Sequence, residues 1–320
     1  MNATGRPFQS VTVFGGANID RIARSSQKPV MGASNPGTTR RALGGVGCNV
    51  ATILARLGLN ARLVTAVGAD PDGQSVLAAA SAFGVAVDKV VVSETAATAT
   101  YSATLDNAGN LVIGIADMIV CDEITPAAVA PATDASHRGF WVVDANLPSA
   151  TLAFLVAEAE DARVPLAALT VSPSKATRLK PLLDSFTYLF TNRREALSLL
   201  GRDPQLTSAS VSALARELSG TRSTRVVVTN GAAPLAEGNR GESRSHTALK
   251  AKVKAVNGAG DSFAAGTIYG LSAGHDLSDA IRFGRAAAAL TLEAGGIAEA
   301  NFDCDTLAER LTTHPARVAS

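Results

Sequence analysis

The chain has 320 residues, of which 47% are hydrophobic and 18% are charged, a balance typical of globular proteins and not of disordered ones. Its formal net charge is +1 and its basic residues are scattered, which argues against nucleic acid or an anionic membrane as a partner. No apolar run reaches the roughly 18 residues of a membrane span, and the three cysteines lie too far apart in sequence for a zinc or disulfide motif. We therefore expect a soluble, cytoplasmic protein.

Hydrophobic periodicity predicts alternating strands and helices in the first part of the chain. A short apolar run that ends at Gly15-Gly16 predicts a buried strand, and the polar segment around Pro36-Gly37 predicts a loop or an exposed hairpin. Apolar residues at helical spacing follow Gly47 and end at Gly58. The predicted elements are a strand over 11–14, a helix over 47–58, a strand over 62–67 and a helix over 73–83.

The segment 97–115 has a different pattern, because threonine and serine alternate with less polar residues before a turn at 106–110. We therefore predict a β-hairpin with solvent on one side. Strands and helices alternate again from 139 to 229. This alternation predicts an α/β fold in which a doubly wound, mostly parallel sheet is flanked by helices. We expect residues 1–320 to form a single domain, with a small β lid inserted at about 17–43 and 96–117.

A glycine-rich motif, Gly258-Ala259-Gly260-Asp261, opens a late helical pattern. The N–H groups of a first helical turn have no partner within the helix, so they form an anion site that the helix dipole strengthens. Asp261 in that turn would lie beside a bound phosphate, face a substrate hydroxyl and accept its proton, a step typically worth ~10²–10⁴ in rate. From these residues alone, an Asp261 that only caps the helix is an equal alternative.

Two earlier motifs carry further candidate residues. Gly44-Gly45-Val46-Gly47-Cys48-Asn49 opens the first long helix, where glycines would let a polyol approach the backbone. The Asn49 amide would supply a donor and an acceptor there, or would simply cap the helix. Asn192 and Glu195 lie one helical turn apart, where they would organise water around a magnesium–phosphate group. For that pair an ordinary capped helix start is the interpretation these residues favour.

Together these motifs resemble the ribokinase-like, or PfkB-type, carbohydrate kinases. The diglycine helix start, the Asn192–Glu195 pair, Thr229 with Gly231, and Gly-Ala-Gly-Asp occur in that family's order. The resemblance runs from about residue 11 to about residue 296. It implies an enzyme that moves the γ-phosphate of ATP to an alcohol group, with Mg²⁺ bound to the ATP. A dehydrogenase would need a glycine fingerprint after its first strand, and no P-loop is present either.

The resemblance also implies a role for each motif residue. Three groups follow: a catalytic group, a substrate group and an ATP group. The catalytic group is Asp261 as general base, with the amides of Gly258, Ala259 and Gly260 on the transferring phosphoryl group. The substrate group is Asn18, Asp20, Gly44, Gly45 and Asn49. The ATP group is Asn192, Glu195, Thr229 and Gly231, with Glu195 reaching Mg²⁺ through water and no direct protein ligand to the metal. The lid would close over the substrate, and two lids would be able to pair in a homodimer.

Within the family, several segments resemble the pseudouridine kinases. They are 15–20, 34–37, 44–47, 105–109 and 116–118. The Ser34-Asn35-Pro36-Gly37 turn carries the most weight, and the implied reaction is phosphorylation of the 5′-hydroxyl of pseudouridine. The alternatives are another sugar or nucleoside kinase of the same fold, acting on ribose, fructose or an adenosine-type substrate, and a non-catalytic nucleoside-binding protein.

Two departures from the family pattern concern ions and an unassigned position. Ala255-Val256-Asn257 replaces a common Asp-Thr-Thr lead-in, so loss of the acidic group and hydroxyls counts against a family-type monovalent-cation site. Ser172-Pro173 stands where relatives often have Asp-Pro, and no role is assigned to it.

Overall fold

The computed structural model describes residues 7–134, 139–206, 208–220 and 224–312. The strands are β1 (Ser10–Phe14), β2 (Asn18–Ser25), β3 (Gly37–Gly44), β4 (Asn60–Val64), β5 (Ala66–Gly68), β6 (Val91–Ser93), β7 (Thr100–Leu105), β8 (Leu111–Asp117), β9 (Phe140–Asp144), β10 (Leu166–Leu169), β11 (Tyr188–Asn192), β12 (Arg225–Thr229), β13 (Leu235–Asn239) and β14 (Glu242–His246). The α-helices are α1 (Val46–Arg56), α2 (Pro71–Ala82), α3 (Pro126–Val129), α4 (Ser149–Ala162), α5 (Pro173–Ala176), α6 (Arg193–Leu199), α7 (Val211–Ser219), α8 (Ala259–Ser272), α9 (Leu277–Ala294) and α10 (Cys304–Thr312). Within these ranges no helix combines the length and hydropathy needed to cross a bilayer.

The main sheet has eight strands in the order β14-β13-β12-β11-β10-β9-β1-β4. The strands from β12 to β4 are parallel, and β13 and β14 add an antiparallel edge. Strand β9 shows why helices cover both faces: Phe140 and Val142 belong to one apolar cluster, whereas Trp141 and Val143 belong to the other. A strand buried on both faces needs a nearly continuous apolar sequence. The predicted doubly wound, mostly parallel sheet is therefore confirmed.

The predicted strand over 62–67 is wrong as a single element. Strand β4 ends at Val64 in the main sheet, and β5 begins at Ala66 and pairs with β6 in a separate two-stranded sheet. The chain changes sheets at Thr65, whose carbonyl already accepts a hydrogen bond from the amide of Val91. A continuous apolar run cannot reveal such a change of partner, because both strands are buried.

A four-stranded sheet in the order β3-β2-β7-β8 lies apart from the main sheet in the strand pairing. Strand β2 pairs with β3 in antiparallel fashion and with β7 in parallel fashion, so a hairpin before α1 joins a hairpin from much later in the chain. Strand β8 is exposed along its whole length, including Leu111, Ile113 and Ile115. The hairpin predicted over 97–115 is confirmed, with strands at 100–105 and 111–117.

The Ser34-Asn35-Pro36-Gly37 turn lies at the tip of the β2–β3 hairpin. The Asn35 side chain closes it by accepting from the amide of Val30 at 2.8 Å and donating to the carbonyl of Val30 at 3.0 Å. Seven residue steps separate Gly37 from Gly44 at the other end of β3, or about 23 Å of strand. In the same subunit, the turn therefore lies far from Gly44, where the hairpin leads into α1.

The start of α1 packs directly on the loop after β1. The N-cap is Gly45, with φ of +94°, and the amide of Cys48 donates to the carbonyl of Gly16 at 3.2 Å. A Cβ added to Gly45 would lie 2.5 Å from the Gly16 carbonyl oxygen, and one added to Gly47 would lie 2.9 Å from the Gly15 backbone. Gly45 and Gly47 therefore allow two loops to pack closely through their backbones. The space that their missing side chains leave is filled by the backbone of Gly15 and Gly16.

Gly45→Ala should destabilise the protein more than the matched variant Gly58→Ala. Both positions have positive φ, +94° and +89°, but nothing lies within 4 Å of an added Cβ at Gly58. Positive φ disfavours alanine at both positions, and the clash with the Gly16 carbonyl adds only to the first variant. Urea unfolding should give a clearly lower midpoint for Gly45→Ala. Equal midpoints would contradict the close approach of the two loops.

Candidate active site

Asp261 lies in the first turn of α8, at an end of the helix that is open to solvent. The helix begins at Ala259, after Gly258 in the left-handed conformation with φ of +77°. A Cβ added to Gly260 would meet no atom within 4 Å, so the first turn faces empty space. Because the leading N–H groups of a helix have no internal partners, this end offers donors and a positive dipole to an anion.

The side chain of Asn49 holds the Asp261 carboxylate. Its Nδ2 donates to Asp261 Oδ2 at 2.7 Å, across a sequence separation of 212 residues. Asn49 is one turn into α1, whose N-cap is Gly45, so the alternative in which Asn49 caps this helix is wrong. The N-cap of α8 is Gly258, and no side chain caps that end, so Asp261 does not act as a cap either.

The pKa of the Asp261 carboxyl is raised to about 7. Burial is the largest cause, and the negative charges of Asp144, Glu195 and Asp20 act in the same direction. The hydrogen bond from Asn49 opposes them by stabilising the carboxylate. A carboxylate whose pKa lies near neutral pH is a much stronger proton acceptor than an ordinary aspartate, as general base catalysis requires.

Asp20, on β2, stands near the same carboxylate. Asn18 Nδ2 donates to Asp20 Oδ1 at 2.7 Å, so the buried Asn18 orients Asp20. Burial raises the pKa of Asp20, while Asn18 and the charge of Arg40 lower it. A Cβ added to Gly44 would lie 2.5 Å from Asp20 Oδ1, which explains the glycine opposite this carboxylate. In the predicted substrate group, Asn18 and Gly44 thus support Asp20.

A cavity of about 180 Å³ connects Asp261 with the predicted ATP group. Its lining includes Gly260, Asp261, Asn192, Glu195 and Thr229. These residues come from two strand ends, of β11 and β12, and two helix starts, of α6 and α8, and they meet in one space. Gly231, with φ of +59°, lies in an exposed turn after β12 and does not line this cavity.

Asn192 and Glu195 form a capping box at the start of α6. Asn192 Oδ1 accepts from the amide of Glu195 at 3.1 Å, and Glu195 Oε2 accepts from the amide of Asn192 at 3.2 Å. Thr170 Oγ1 also donates to Glu195 Oε2. The capped helix start favoured from the sequence is confirmed, and the same two residues also line the cavity beside Asp261.

The sequence interpretation missed a buried carboxylate, Asp144, at the end of β9. Its Oδ2 accepts from the amides of Gly16 and Gly47, both at 2.9 Å, and its Oδ1 accepts from the amide of Asn146 at 2.8 Å. Burial raises the pKa of Asp144, and these donors with the charge of Lys175 lower it. The available signal was a carboxylate directly after a fully apolar strand that ends beside β1.

Two basic residues, Lys175 in α5 and Arg178 in the 3₁₀ helix after it, contact the segment around Asn146. Lys175 Nζ donates to Asn146 Oδ1 at 2.5 Å, and Arg178 Nη1 donates to the carbonyls of residues 145, 146 and 147 at 3.1–3.2 Å. Burial lowers the pKa of Lys175, and the charge of Asp144 opposes that change. Asn146 in turn packs on Gly16, where an added Cβ would lie 2.6 Å from Asn146 Nδ2. These contacts fix the segment after β9 against the loop after β1.

The donor set suits a magnesium ion that arrives with phosphate. Within the described ranges no group of three or more acidic, histidine or cysteine side chains could hold a metal ion alone. Mg²⁺ usually keeps several waters and binds one or two carboxylates together with substrate phosphates, and Glu195 beside the open start of α8 fits that mode. The segment 255–257 offers no carboxylate or hydroxyl, so it does not fit a monovalent-cation site built on those groups.

Residues 9–303 match the family model described as pfkB family carbohydrate kinase, and the chain belongs to that family. It is 32% identical over 289 residues to a pseudouridine kinase of Escherichia coli, covering 88% of this chain and 90% of the relative. A solved carbohydrate kinase from Agrobacterium tumefaciens is 33% identical with a TM-score of 0.81, covering 96% of this chain and 98% of the other. An Arabidopsis thaliana ribokinase solved with ribose and ATP has a TM-score of 0.80 at 22% identity, covering 96% and 99%. The chain is thus a ribokinase-like phosphotransferase that acts on a sugar or nucleoside hydroxyl.

Asn49→Ala should move the acid limb of the pH–activity profile to higher pH. Because the carboxylate form of Asp261 accepts the proton, kcat/KM should rise with pH and level off above about 7. Loss of the Asn49 donor removes the one hydrogen bond that favours this carboxylate, so its pKa should rise further. The measurement is kcat/KM between about pH 5 and 9. The exposed Asn60→Ala is the control, and a limb unmoved by Asn49→Ala would show that Asp261 is not the titrating base.

Proposed function

We propose that this chain transfers the γ-phosphate of ATP to the 5′-hydroxyl of pseudouridine. The observation that carries the reaction is a single cavity that joins a carboxylate of near-neutral pKa to an open helix start and to Asn192 and Glu195. Identity of 32% to a pseudouridine kinase over most of both chains supports the substrate. The Ser34–Gly37 turn and the other segments shared with that group support it as well.

On the nucleoside side, Asp20 and Asn49 hold the ribose hydroxyls. The 5′-hydroxyl then lies beside Asp261, which takes its proton as the oxygen attacks the γ-phosphorus. The bond from that phosphorus to the β,γ-bridging oxygen breaks, and ADP leaves. Asn49 keeps the carboxylate turned toward the cleft during this step. Phosphoryl transfer needs little covalent chemistry from a protein, so position and charge account for most of the catalysis.

On the phosphate side, the amides of Gly258, Ala259 and Gly260 donate to the transferring phosphoryl group at the open start of α8. Mg²⁺ bound to ATP would neutralise part of the phosphate charge, with Glu195 contacting it through water. Asn192 and Thr229 line the nucleotide side of the cavity, and Gly231, in the exposed turn after β12, would contact the ATP outside it. The transferred group therefore meets donors on one side and the attacking oxygen on the other.

The four-stranded sheet β3-β2-β7-β8 acts as the lid of this single kinase domain in our proposal. It carries Asp20 into the site, so closure would both exclude water and complete the substrate contacts. Its exposed strand β8, with Leu111, Ile113 and Ile115, is the surface through which two subunits would pair as a homodimer. The occupant of this surface is then the lid of a second copy.

The main alternative is a kinase of the same fold that phosphorylates another acceptor. Ribose, fructose or an adenosine-type nucleoside would use the same base and phosphate groups, because those groups contact only the reacting end of the substrate. A non-catalytic nucleoside-binding protein is the remaining alternative. The raised pKa of Asp261 disfavours it, since a binding protein gains nothing from a destabilised carboxylate.

Among pseudouridine, uridine, adenosine, ribose and fructose, pseudouridine should be the preferred acceptor by at least about tenfold in kcat/KM. The measurement is ATP consumption by the purified protein with magnesium and each acceptor in parallel. If another acceptor were preferred, the proposed reaction would stand and the proposed substrate would be wrong. Absence of turnover with all five would overturn the proposed function.

Asp261→Asn should lower kcat by about 10²–10⁴ while nucleoside affinity changes little, because the amide keeps the shape and loses the base. The matched control is Asp279→Asn, which removes an exposed carboxylate from the first turn of the neighbouring helix α9 and should leave turnover unchanged. Steady-state kinetics with calorimetric titration of the nucleoside separates the two effects. Turnover close to that of the unmodified protein in Asp261→Asn would rule out Asp261 as the base.

A further inference from the structure

The β2–β3 hairpin carries four arginines, and the side chains of three of them contact residues outside the hairpin. Arg21 and Arg41 both bind the carboxylate of Asp72 at the start of α2. Arg24 Nη2 donates to the carbonyl of Asn107 at 2.7 Å. Among the residues that the structure describes, the side chain of Arg40 forms neither an ion pair nor a hydrogen bond.

The strand register places Arg40 on the face of the sheet that carries Asp20. Side chains alternate along a strand, so Asp20 and Ile22 share one face, and directly paired residues on neighbouring strands share a face too. Ile22 pairs with Arg40, whereas Arg21 pairs with Arg41 on the opposite face, where both bind Asp72. The charge of Arg40 also acts on the pKa of Asp20, as expected for two groups on one face.

Next to Arg40, the row of residues across this face is apolar and begins with Ile22, its partner on β2. Ile22 and Ala103 are paired neighbours and both are buried, and Ala103 pairs on its other side with Gly114. Tyr101 pairs with Asp20 and lies over Gly114, where an added Cβ would be 2.7 Å from the Tyr101 hydroxyl oxygen. The side chains of Ile22 and Ala103 suit the face or edge of a planar ring and offer it no hydrogen bond, and the Tyr101 hydroxyl lies at the Gly114 end of this row.

The register places Arg40 one residue pair along from Asp20 on the same face, beside Ile22. The charge of Asp20 raises the pKa of Asp261, and the charge of Arg40 lowers that of Asp20. If the 5′-hydroxyl lies at Asp261 and the ribose hydroxyls at Asp20, as the proposed function has it, the substituent at C1′ extends over Ile22, beside Arg40. This step rests on that proposed function.

We propose that Arg40 binds the carbonyl oxygens of the base at C1′ and thereby selects nucleosides with a pyrimidine-dione base. A guanidinium has five N–H donors and no acceptor, so it binds carbonyl oxygens and disfavours exocyclic amino groups. Pseudouridine and uridine both present two carbonyls, whereas adenine presents an amino group. A free sugar has no base and gains nothing from Arg40.

The test compares Arg40→Met with Arg21→Met, which removes the same charge from the opposite face. Arg40→Met should lower kcat/KM for pseudouridine and uridine by about 10- to 100-fold, the range expected for a lost hydrogen bond to a charged group. Because the charge of Arg40 also lowers the pKa of Asp20, ribose should share a small part of this loss, and the loss for the two nucleosides should be clearly larger. Arg40→Lys should restore part of the loss for the nucleosides. Arg21→Met should change no acceptor by more than about twofold, since Arg41 still binds Asp72.

Equal losses for ribose and the nucleosides in Arg40→Met would overturn the role of Arg40 and leave the kinase reaction standing. If the unmodified protein turned over no acceptor, the proposed function would fail, and calorimetric titration with pseudouridine would still test Arg40. Weaker binding in Arg40→Met than in Arg21→Met supports the proposal in that case. Equal binding in the two variants overturns it.

Discussion

The buried carboxylate of Asp144 is the constraint on which the site depends. It accepts hydrogen bonds from Gly16 and Gly47 at once, so it ties the end of β9 to the loop after β1 and to the start of α1. A buried charge is tolerated only where donors surround it, and the close approach that supplies these donors is possible only with glycines. The diglycine motif, the direction of α1 and the position of Asn49 follow from this one contact.

Electrostatics explains how the same arrangement produces a base. Asp144, Glu195 and Asp20 all raise the pKa of Asp261, and burial raises it further. Their repulsion destabilises the ionised form of Asp261 in the folded protein, so the folded state holds a proton on Asp261 up to about pH 7, well above the usual range of an aspartate. The contribution of Asp261 to the free energy of unfolding therefore falls as the pH rises from the ordinary aspartate range to about 7. The same repulsion makes its carboxylate a stronger base.

The fold was largely predictable, because apolar periodicity reflects burial on both faces of a parallel sheet. The edge strands β13 and β14 and the division at Thr65 were not predictable, since the first two are short and polar and the second is a change of partner within one apolar run. Of the site, the residues in glycine motifs stood out. Asp144, Lys175 and Arg40 did not, because their importance comes from partners far away in sequence or from the face of a strand on which they lie.

The Ser34–Gly37 turn illustrates the difference between a local sequence signal and a contact that depends on strand register. A turn sequence reports local backbone geometry, and here Asn35 uses its side chain to close the hairpin tip. Substrate contacts instead depend on which side chains alternate toward the cleft near the other end of the hairpin, and that depends on register. Recognition of the base therefore has to be sought on the face shared by Asp20 and Arg40.

The most direct test of the central claim is the position of the phosphate on the product. Phosphorus NMR of the product formed from pseudouridine and ATP identifies the oxygen that attacked. Coupling of the phosphorus to the two protons at C5′ is the predicted result, because Asp20 and Asn49 hold the ring hydroxyls and leave the 5′-hydroxyl at Asp261. Coupling to a ring proton at C2′ or C3′ would show that the sugar binds in another orientation, and the assignment of the substrate side would then be wrong.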